Sequence, residues 1–281
     1  MGNPMAGHLL DAGHTLTVHT RTKRKAEKLI QRGARYAPTP ADAVRNADVV
    51  FVCVNDTPDM EQVALGEAGI IHAARAGVIC VDHSTVAPEA TARVADEFAK
   101  HDMHWLDAPV SGGDIGAKNR TLSIMVGGDR GAFDQVEALL RTFGPTVTYC
   151  GKSGTGQTTK LVNQILVTVT NLAVCEALVF AKKHGLDLEK TITALAGGAA
   201  GSWQLVNLGP RMVSGDMRPG FTVKMQQKDL RLVLQAAETL SISLPAASLV
   251  HQLFSAAEAS GHGKHGTQAL YTVIEKLSSL H

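Results

Sequence analysis

The sequence predicts an α/β fold with a Rossmann-type, mostly parallel sheet, followed by an all-helical domain. In the first half of the chain, short apolar runs alternate with amphipathic segments of about ten residues, which is the pattern of βαβ units. From Thr158 onward, the apolar residues recur at helical spacing throughout. The two patterns meet near residue 152. We therefore predict an α/β domain over residues 1–152 and a helical domain over residues 153–281.

The elements of the α/β domain follow from its apolar runs and their boundaries. The chain enters a helix at Gly2, and Gly13 is placed to end it as a carboxy-terminal cap. An unbroken apolar run, as at 47–54, is typical of a strand buried on both faces of a sheet. The predicted strands are 16–19, 47–54, 77–82, 104–107, 122–126 and 147–150. The predicted helices after the first are one that ends at Arg32, then 88–100 and 130–143.

The helical domain opens with a long apolar segment. It runs from about Thr158 to His184 and is apolar nearly all round, which is typical of a buried helix. Further helices follow between predicted loops near 185–187, 197–202, 214–221, 241–246 and 260–266. Because a small domain covers only one side of such a helix, we expect the rest to meet a second subunit, most simply in a C2 dimer. The alternative is a helix enclosed by its own domain and the sheet.

Composition and charge exclude several classes of protein. With 281 residues, 44% of them apolar, the chain is long enough to bury a real core. A net charge of +1 argues against nucleic acid or an anionic membrane as the main partner. The chain has no uninterrupted run of about 18 apolar residues and no visible signal peptide. We therefore expect no membrane span and a cytoplasmic location.

The four cysteines and twelve histidines show no metal-binding or redox spacing. Cys53 and Cys80 lie inside apolar runs, so we interpret them as reduced core residues of a cytosolic protein. No H-E-x-x-H or similar spacing exists, and the pair His262 and His265 lies in a glycine-rich loop. We expect no metal site.

The stretch 151–163 is a glycine-rich loop that runs directly into the long helix. Its glycines, which let backbone approach a ligand closely, are Gly151, Gly154 and Gly156. Lys160 follows near the start of the helix, and Asn163 lies three residues on, on the same side. A cation near the positive helix amino terminus is unfavourable, so Lys160 needs a reason to be there. It either extends into solvent or points with Asn163 into a cleft that handles a polar substrate.

In a doubly wound sheet, ligands bind outside the carboxyl ends of the strands. Four segments follow predicted strands and are candidates for this edge: 20–25, 54–57, 82–85 and 108–113. The helix that opens at Gly2 offers its first amides to an anion such as a dinucleotide pyrophosphate. The strand that ends at His19 is then expected to meet the adenosine ribose.

The residues after His19 bear on the choice of cofactor. Dehydrogenases that prefer NAD place an acid here to accept from the ribose 2′-hydroxyl. No acid occurs before Glu27, and the intervening basic residues are Arg21, Lys23, Arg24 and Lys25. Such a cluster suits a 2′-phosphate, and Arg21 suits it best because its planar fork binds phosphate bidentately. We predict NADP as the cofactor, with NAD as the alternative, and note that a charge run is also typical of a solvated helix start.

Four motifs are distributed along the chain: Gly2-Asn-Pro-Met-Ala, Asp107-Ala-Pro-Val-Ser-Gly-Gly113, Gly151-x-x-Gly-x-Gly-x-x-x-Lys160-x-x-Asn163 and Lys228-Asp229-Leu230. Together they resemble the β-hydroxyacid dehydrogenases, the family of 3-hydroxyisobutyrate dehydrogenase, tartronate semialdehyde reductase and glyoxylate/succinic semialdehyde reductase. The resemblance covers essentially the whole chain. In the family they are the end of the cofactor loop, the substrate motif, the catalytic motif and a second cofactor motif. The stretches 64–71 and 198–202 look most like tartronate semialdehyde reductase.

The resemblance implies a role for each motif. Lys160 would be catalytic, Asn163 would orient the substrate, and the substrate carboxylate would be held by Ser111, Gly112 and Gly113. The cofactor contacts, from the resemblance and from the strand ends together, are Gly2, Asn3, Pro4, Met5, Arg21, Thr22, Val54, Asn55, Thr85 and Lys228. The substrate would be a small carboxylate-bearing aldehyde or hydroxy acid. The protein would be a homodimer or homotetramer, as members of the family usually are.

The chemistry of the residues agrees with that resemblance. Reducing an aldehyde needs a hydride from the nicotinamide and a proton for the developing alkoxide. A lysine stabilises such an oxyanion and donates the proton. Because a small substrate offers little binding surface, a carboxylate clamp made by a serine hydroxyl and glycine amides would fix its orientation. We predict the reversible interconversion of a 3-hydroxy acid and its semialdehyde.

The amino terminus departs from the family pattern. Family members begin with a strand and a G-x-G-x-x-G loop, and Gly2 matches only the last of those glycines, so about ten residues of that unit are absent. We expect two open ladder edges where the strand would lie. Two other readings stay open. One is a non-catalytic binding protein with a dead dehydrogenase domain. The other is an imine reductase-like enzyme, against which Lys160 counts because those enzymes replace the lysine.

Overall fold

The computed structural model describes residues 1–279 of the chain. The chain divides into two compact units, Met1–Lys160 and Leu161–His281. All described strands belong to the first unit, and the described part of the second contains helices without strands. The predicted fold class, an α/β part with a mostly parallel sheet followed by a helical part, is confirmed.

The strands form two sheets. Their bounds are β1 Thr17–Val18, β2 Arg35–Tyr36, β3 Val49–Val52, β4 Ile79–Asp82, β5 His104–Asp107, β6 Val110–Ser111, β7 Ser123–Gly127 and β8 Thr146–Gly151. β1 and β2 form a small parallel sheet. The larger sheet has the order β3-β4-β5-β7-β6, and β8 pairs with β7. Its pairs are parallel except those of β7 with β5 and β6, which are antiparallel.

Helices connect the strands and make up the second unit. Those that begin in the first unit are α1 Gly2–Asp11, α2 Glu27–Gln31, α3 Pro40–Val44, α4 Thr57–Leu65, α5 Pro88–Ala99, α6 Gly113–Asn119, α7 Arg130–Leu140 and α8 Thr155–Lys183. The later ones are α9 Leu188–Ala196, α10 Trp203–Asn207, α11 Gly209–Val213, α12 Val223–Thr239, α13 Pro245–Ala259 and α14 Leu270–Leu277. Short 3-10 helices cover Lys23–Ala26, Ile70–His72, His262–Lys264 and Thr267–Ala269.

The larger sheet is buried on both faces. Because side chains alternate along a strand, Val81 and Leu106 pack into one apolar cluster with Phe143, whereas Cys80 and Trp105 pack into a second cluster on the opposite face. The unbroken apolar runs of β4 and β5 are therefore explained by cover on both sides.

A break in the hydrogen-bonded ladder separates β1 from β3. Within residues 1–279, β1 pairs with β2 alone and β3 pairs with β4 alone. The two open edges expected from the departure at the amino terminus are therefore found. In a doubly wound sheet, the strand between such neighbours would be the central one.

Cys53 corrects one prediction. It was expected in the core, but it is exposed, whereas Cys80 is buried as predicted. The apolar run continues past the end of β3 at Val52, and no described strand covers that side of β3. Sequence analysis also missed β2, β6 and the helices α3, α4 and α6. These elements have two to nine residues, too few to show a clear period.

By length and composition, α8 could also cross a membrane. Half of its most apolar stretch is buried inside the protein. The core helix of a soluble protein can have the same length and composition, so these two properties alone are weak evidence for a membrane segment.

Candidate active site

Three strands of the larger sheet end level with one another. Val52 of β3 pairs with Asp82 of β4, and Asp82 pairs with Asp107 of β5. The segments that follow these strands therefore leave the sheet at one edge, where a doubly wound fold binds its ligands.

Asp107 binds the start of α8. Its carboxylate is fully buried and accepts hydrogen bonds from the amides of Gly154, at 2.9 Å, and Gln157, at 2.8 Å. Burial raises the pKa of Asp107, although these amide hydrogen bonds act to lower it. A Cβ at Gly127 or Gly156 would lie 2.8 Å from this carboxylate, so both positions require glycine. The motif at 151–163 is thus hydrogen-bonded to Asp107, the first residue of the motif at 107–113.

Gln157 connects the first turn of α8 to the segment that follows β4. It is fully buried, its Oε1 accepts from the amide of Val86 at 3.1 Å, and its Nε2 donates to the carbonyl of Ser84 at 2.8 Å. The Ser84 hydroxyl in turn accepts from the amide of Val54, after β3, at 2.8 Å. These bonds hold the segment around Thr85 between β3 and α8.

Lys160 lies in the second turn of α8 and is only 7% exposed. The alternative of a lysine that extends into solvent is therefore wrong. The helix that carries Lys160 is held in place at its first turn by Asp107 and Gln157.

The substrate motif ends in two glycines with left-handed backbone. Ser111 closes β6 and is half-buried, and Gly112 and Gly113 follow with φ of 129° and 64°. These angles strain any residue with a Cβ, and they turn the chain sharply into α6.

The first group of predicted cofactor residues lies at the start of α1. Gly2 opens α1, and a Cβ there would be 3.5 Å from that of Cys53, so the start of α1 lies beside the end of β3 and hence near Val54. Asn3 donates to the carbonyl of Lys25 at 2.9 Å. Met5 points away from this edge into the core, so only its main chain is available to a ligand. The first turn of α1 has no side-chain cap and no acidic residue.

The basic cluster, Arg21 to Lys25, is exposed along its whole length. Arg21 is 73% exposed and pairs with Asp59 of α4 at 3.0 Å. The Lys23 ammonium lies 5.2 Å from the centre of the Tyr36 ring. The cluster is therefore both solvated and accessible to an anion, and sequence analysis missed its acidic neighbour.

The predicted residues of the helical unit are connected by hydrogen bonds. Asn163, half-buried, donates to Gln164, and Gln164 donates to Asp229. Lys228, 8% exposed, lies 2.7 Å from the Asp229 carboxylate. Sequence analysis identified Asn163 and Lys228, which lie at the two ends of this series of polar contacts, but it missed Gln164, which connects them. In residues 1–279 no three potential metal ligands from histidine, cysteine or acidic side chains cluster together.

Known proteins match both units. Residues 1–151 match the family described as the NAD binding domain of 6-phosphogluconate dehydrogenase, and residues 154–274 match that of the NAD-binding of NADP-dependent 3-hydroxyisobutyrate dehydrogenase. The 2-hydroxy-3-oxopropionate reductase of Escherichia coli K12 is 40% identical, over 99% of this chain and 95% of that protein.

Solved structures agree at lower identity. The 3-hydroxyisobutyrate dehydrogenase of Salmonella typhimurium has a TM-score of 0.88 at 27% identity, over 97% of this chain and 95% of that one. A complex of Psf3 with NADP+ and 2-OPP has a TM-score of 0.90 at 27% identity, over 98% and 96%. The fold and these matches define a nicotinamide-dependent dehydrogenase with a small-molecule substrate. More particularly, the chain belongs to the β-hydroxyacid dehydrogenase family, as its four motifs predicted.

Proposed function

We propose that the protein reversibly reduces a small carboxylate-bearing aldehyde to its 3-hydroxy acid with NADPH, and that 2-hydroxy-3-oxopropionate is the first substrate to test. The observation that carries the proposal is the burial of Lys160 on a helix bound by Asp107, the first residue of the substrate motif. The identity to the E. coli 2-hydroxy-3-oxopropionate reductase supports the choice of substrate.

The first unit fits a dinucleotide. The amides of the first turn of α1 have no protein cap and no competing carboxylate, so they suit the pyrophosphate. Arg21 and its basic neighbours are exposed and suit a 2′-phosphate, which supports NADPH over NADH. Thr85, Val54 and Asn55 follow the level strand ends and would complete the contacts.

The reaction divides among a few side chains. A bound nicotinamide supplies the hydride. Lys160 donates a proton to the developing alkoxide, and in the reverse direction takes it from the alcohol. The Ser111 hydroxyl and the amides of Gly112 and Gly113 bind the carboxylate and so fix the orientation of a substrate with little other surface. Asn163 orients the substrate, and Lys228 contacts the cofactor.

The test is turnover of a substrate panel. Purified protein is given 2-hydroxy-3-oxopropionate, glyoxylate, succinic semialdehyde and methylmalonate semialdehyde with NADPH and with NADH. Lys160→Ala should lower kcat by about 10²- to 10⁴-fold with little change in cofactor affinity, because a general acid is lost. Lys152→Ala is the matched control, since Lys152 lies in the same motif but is exposed. Near-full activity of Lys160→Ala would place the proton donor elsewhere.

We also propose a homodimer built on α8. Its apolar residues Val162, Leu166 and Phe180 are 53%, 64% and 67% exposed. A groove of about 410 Å³ lies between α8 and α14, lined by Glu176, Val179, Phe180, Lys183, Ile274, Leu277 and Ser278. Two copies packed around a two-fold axis would bury these exposed apolar side chains of α8.

Light scattering at micromolar concentration tests the dimer. Phe180→Asp should yield monomers, because it places a carboxylate in the proposed interface. Leu240→Asp is the matched control, since Leu240 is equally exposed, at 68%, on another helix end. An active monomeric wild type would contradict the proposal.

A further inference from the structure

Asn163 belongs to a buried chain of polar side chains within the helical unit. Its Nδ2 donates to Oε1 of Gln164 at 2.8 Å. Nε2 of Gln164 donates to Oδ2 of Asp229, and Nζ of Lys228 lies 2.7 Å from Oδ1 of the same carboxylate. Gln164 and Asp229 are 3% and 1% exposed, and neither has a part in the reaction described above.

The ion pair between Lys228 and Asp229 sets the direction of both hydrogen bonds in this series of side chains. A carboxylate accepts hydrogen bonds, so Gln164 must turn its amide nitrogen toward Asp229. That leaves Oε1 of Gln164 to face Asn163. Asn163 must then offer its nitrogen, because two amide oxygens repel each other. The carbonyl oxygen Oδ1 of Asn163 consequently points away from Gln164, and it is the acceptor that the side chain presents.

We infer that Gln164 and Asp229 are positioning residues that make Asn163 a hydrogen-bond acceptor toward the substrate, so that the site selects aldehyde acids that carry a hydroxyl group. The inference rests on the proposed function, in which Asn163 orients the substrate. A carbonyl oxygen and a carboxylate only accept, and their donors are Lys160 and the Ser111–Gly113 motif. A substrate with those two groups alone has no donor for Asn163, whereas a hydroxyl supplies one.

Two substrates that differ by one hydroxyl test the selection. These are 2-hydroxy-3-oxopropionate and 3-oxopropionate, compared by kcat/KM at saturating NADPH. Wild type should favour the hydroxylated substrate by about 10- to 100-fold, because the other leaves Oδ1 of Asn163 desolvated and unpaired. Gln164→Met keeps the volume but removes the amide oxygen and nitrogen, so Asn163 is free to turn and the ratio should fall by about tenfold.

A matched control separates this effect from general loosening of the helices. Gln226 is also a buried glutamine, 1% exposed, on the same helix as Asp229. Gln226→Met should keep the wild-type ratio, whatever it does to overall stability, which thermal unfolding reports for each variant. A ratio near one in wild type, or an unchanged ratio in Gln164→Met, overturns the inference and leaves the proposed function intact.

Asp229→Asn gives a second, size-preserving test should Gln164→Met fail to fold. An amide both donates and accepts, so it no longer dictates which way Gln164 turns, and the ratio should fall as well. Binding provides a readout without turnover: calorimetric titration of hydroxymalonate and of malonate in the presence of NADP+. If no aldehyde is reduced, the proposed function fails, and these titrations still test whether the site selects a ligand with a hydroxyl group. Tighter binding of hydroxymalonate that is lost in Asp229→Asn supports the inference, and equal or absent binding of the two diacids overturns it.

Discussion

The start of α8 and the basic cluster at 21–25 are both assigned to one dehydrogenase site, yet the protein holds them in opposite ways. The first turn of α8 is bonded to the buried carboxylate of Asp107, and the buried side chain of its own Gln157 reaches the segment after β4. The basic cluster is exposed, and its side-chain contacts include one ion pair, Arg21 with Asp59, and the approach of Lys23 to Tyr36. Exposed ion pairs are typically worth about 0–1 kcal/mol.

This difference separates what catalysis requires from what cofactor choice requires. The proposed proton transfer from Lys160 would depend on fixed geometry, which buried hydrogen bonds provide because leaving any of them unmade is costly. Recognition of a 2′-phosphate needs accessible positive charge, which an exposed segment provides at little cost to stability. We therefore expect substitutions at the start of α8 to affect stability and turnover together, and substitutions in the basic cluster to affect only cofactor preference.

The largest effect should come from Asp107→Ala. Removing the carboxylate leaves the buried amides of Gly154 and Gln157 without their acceptor, at about 1–3 kcal/mol each. Unfolding in urea should show a loss of about 2–6 kcal/mol, and kcat of the folded fraction should fall because Lys160 shifts with its helix.

Asp129→Ala is the control for this loss. Asp129 caps α7 by accepting from the amide of Ala132 at 2.8 Å, but it is 58% exposed, so water replaces it. Its removal should cost about 1 kcal/mol. Equal losses for the two variants would contradict the difference that we draw between buried and exposed caps.

A smaller effect concerns His83, which follows β4 at the same buried edge. Its ring stacks on Phe51 and meets Phe143 edge-on, and burial lowers the pKa of His83 from 6.5 to about 4. Between those values the unfolded chain binds a proton that the folded protein does not. Stability is therefore present above pH 6.5 and is lost as the pH falls toward 4.

His83→Phe should remove this dependence while keeping a ring in the aromatic cluster. From pH 7 to pH 5, the free energy of unfolding of wild type should fall by about 2 kcal/mol more than that of the variant. Urea titrations at the two pH values measure the difference. Parallel pH profiles would show that His83 does not contribute.

The smallest effect should come from Arg21→Ala. The ratio of kcat/KM for NADPH to that for NADH should fall by about fivefold, or about 1 kcal/mol, without loss of stability. Asp59→Asn sharpens the test, since it releases Arg21 and should raise the ratio. Arg45→Ala, which removes an exposed arginine outside the cluster, should change nothing. An unchanged ratio in Arg21→Ala would show that the basic cluster is a solvated surface that does not bind the 2′-phosphate.

Much of this protein could be predicted from local patterns. The period of apolar residues located β4, β5, β7, β8, α5 and α8 to within a few residues, because burial on a strand or helix repeats along the chain. The same patterns placed polar residues after three strands, and general rules of sheet topology brought those strand ends to one edge. Lys160 and Asn163 stood out because their spacing and helical setting are themselves local.

Only the tertiary structure decided which distant groups meet. Asp107 binds amides about 50 residues later in the chain, and Gln157 reaches a segment more than 70 residues earlier. Neither pairing leaves a periodic trace, because one hydrogen bond between remote residues imposes no pattern on either neighbourhood. The exposure of Cys53 depends on what packs beside β3, and the apolar run that contains Cys53 carries no information about that neighbour. The direction of the Asn163 amide is likewise set by Asp229, 66 residues away, through an intervening side chain that no motif identified.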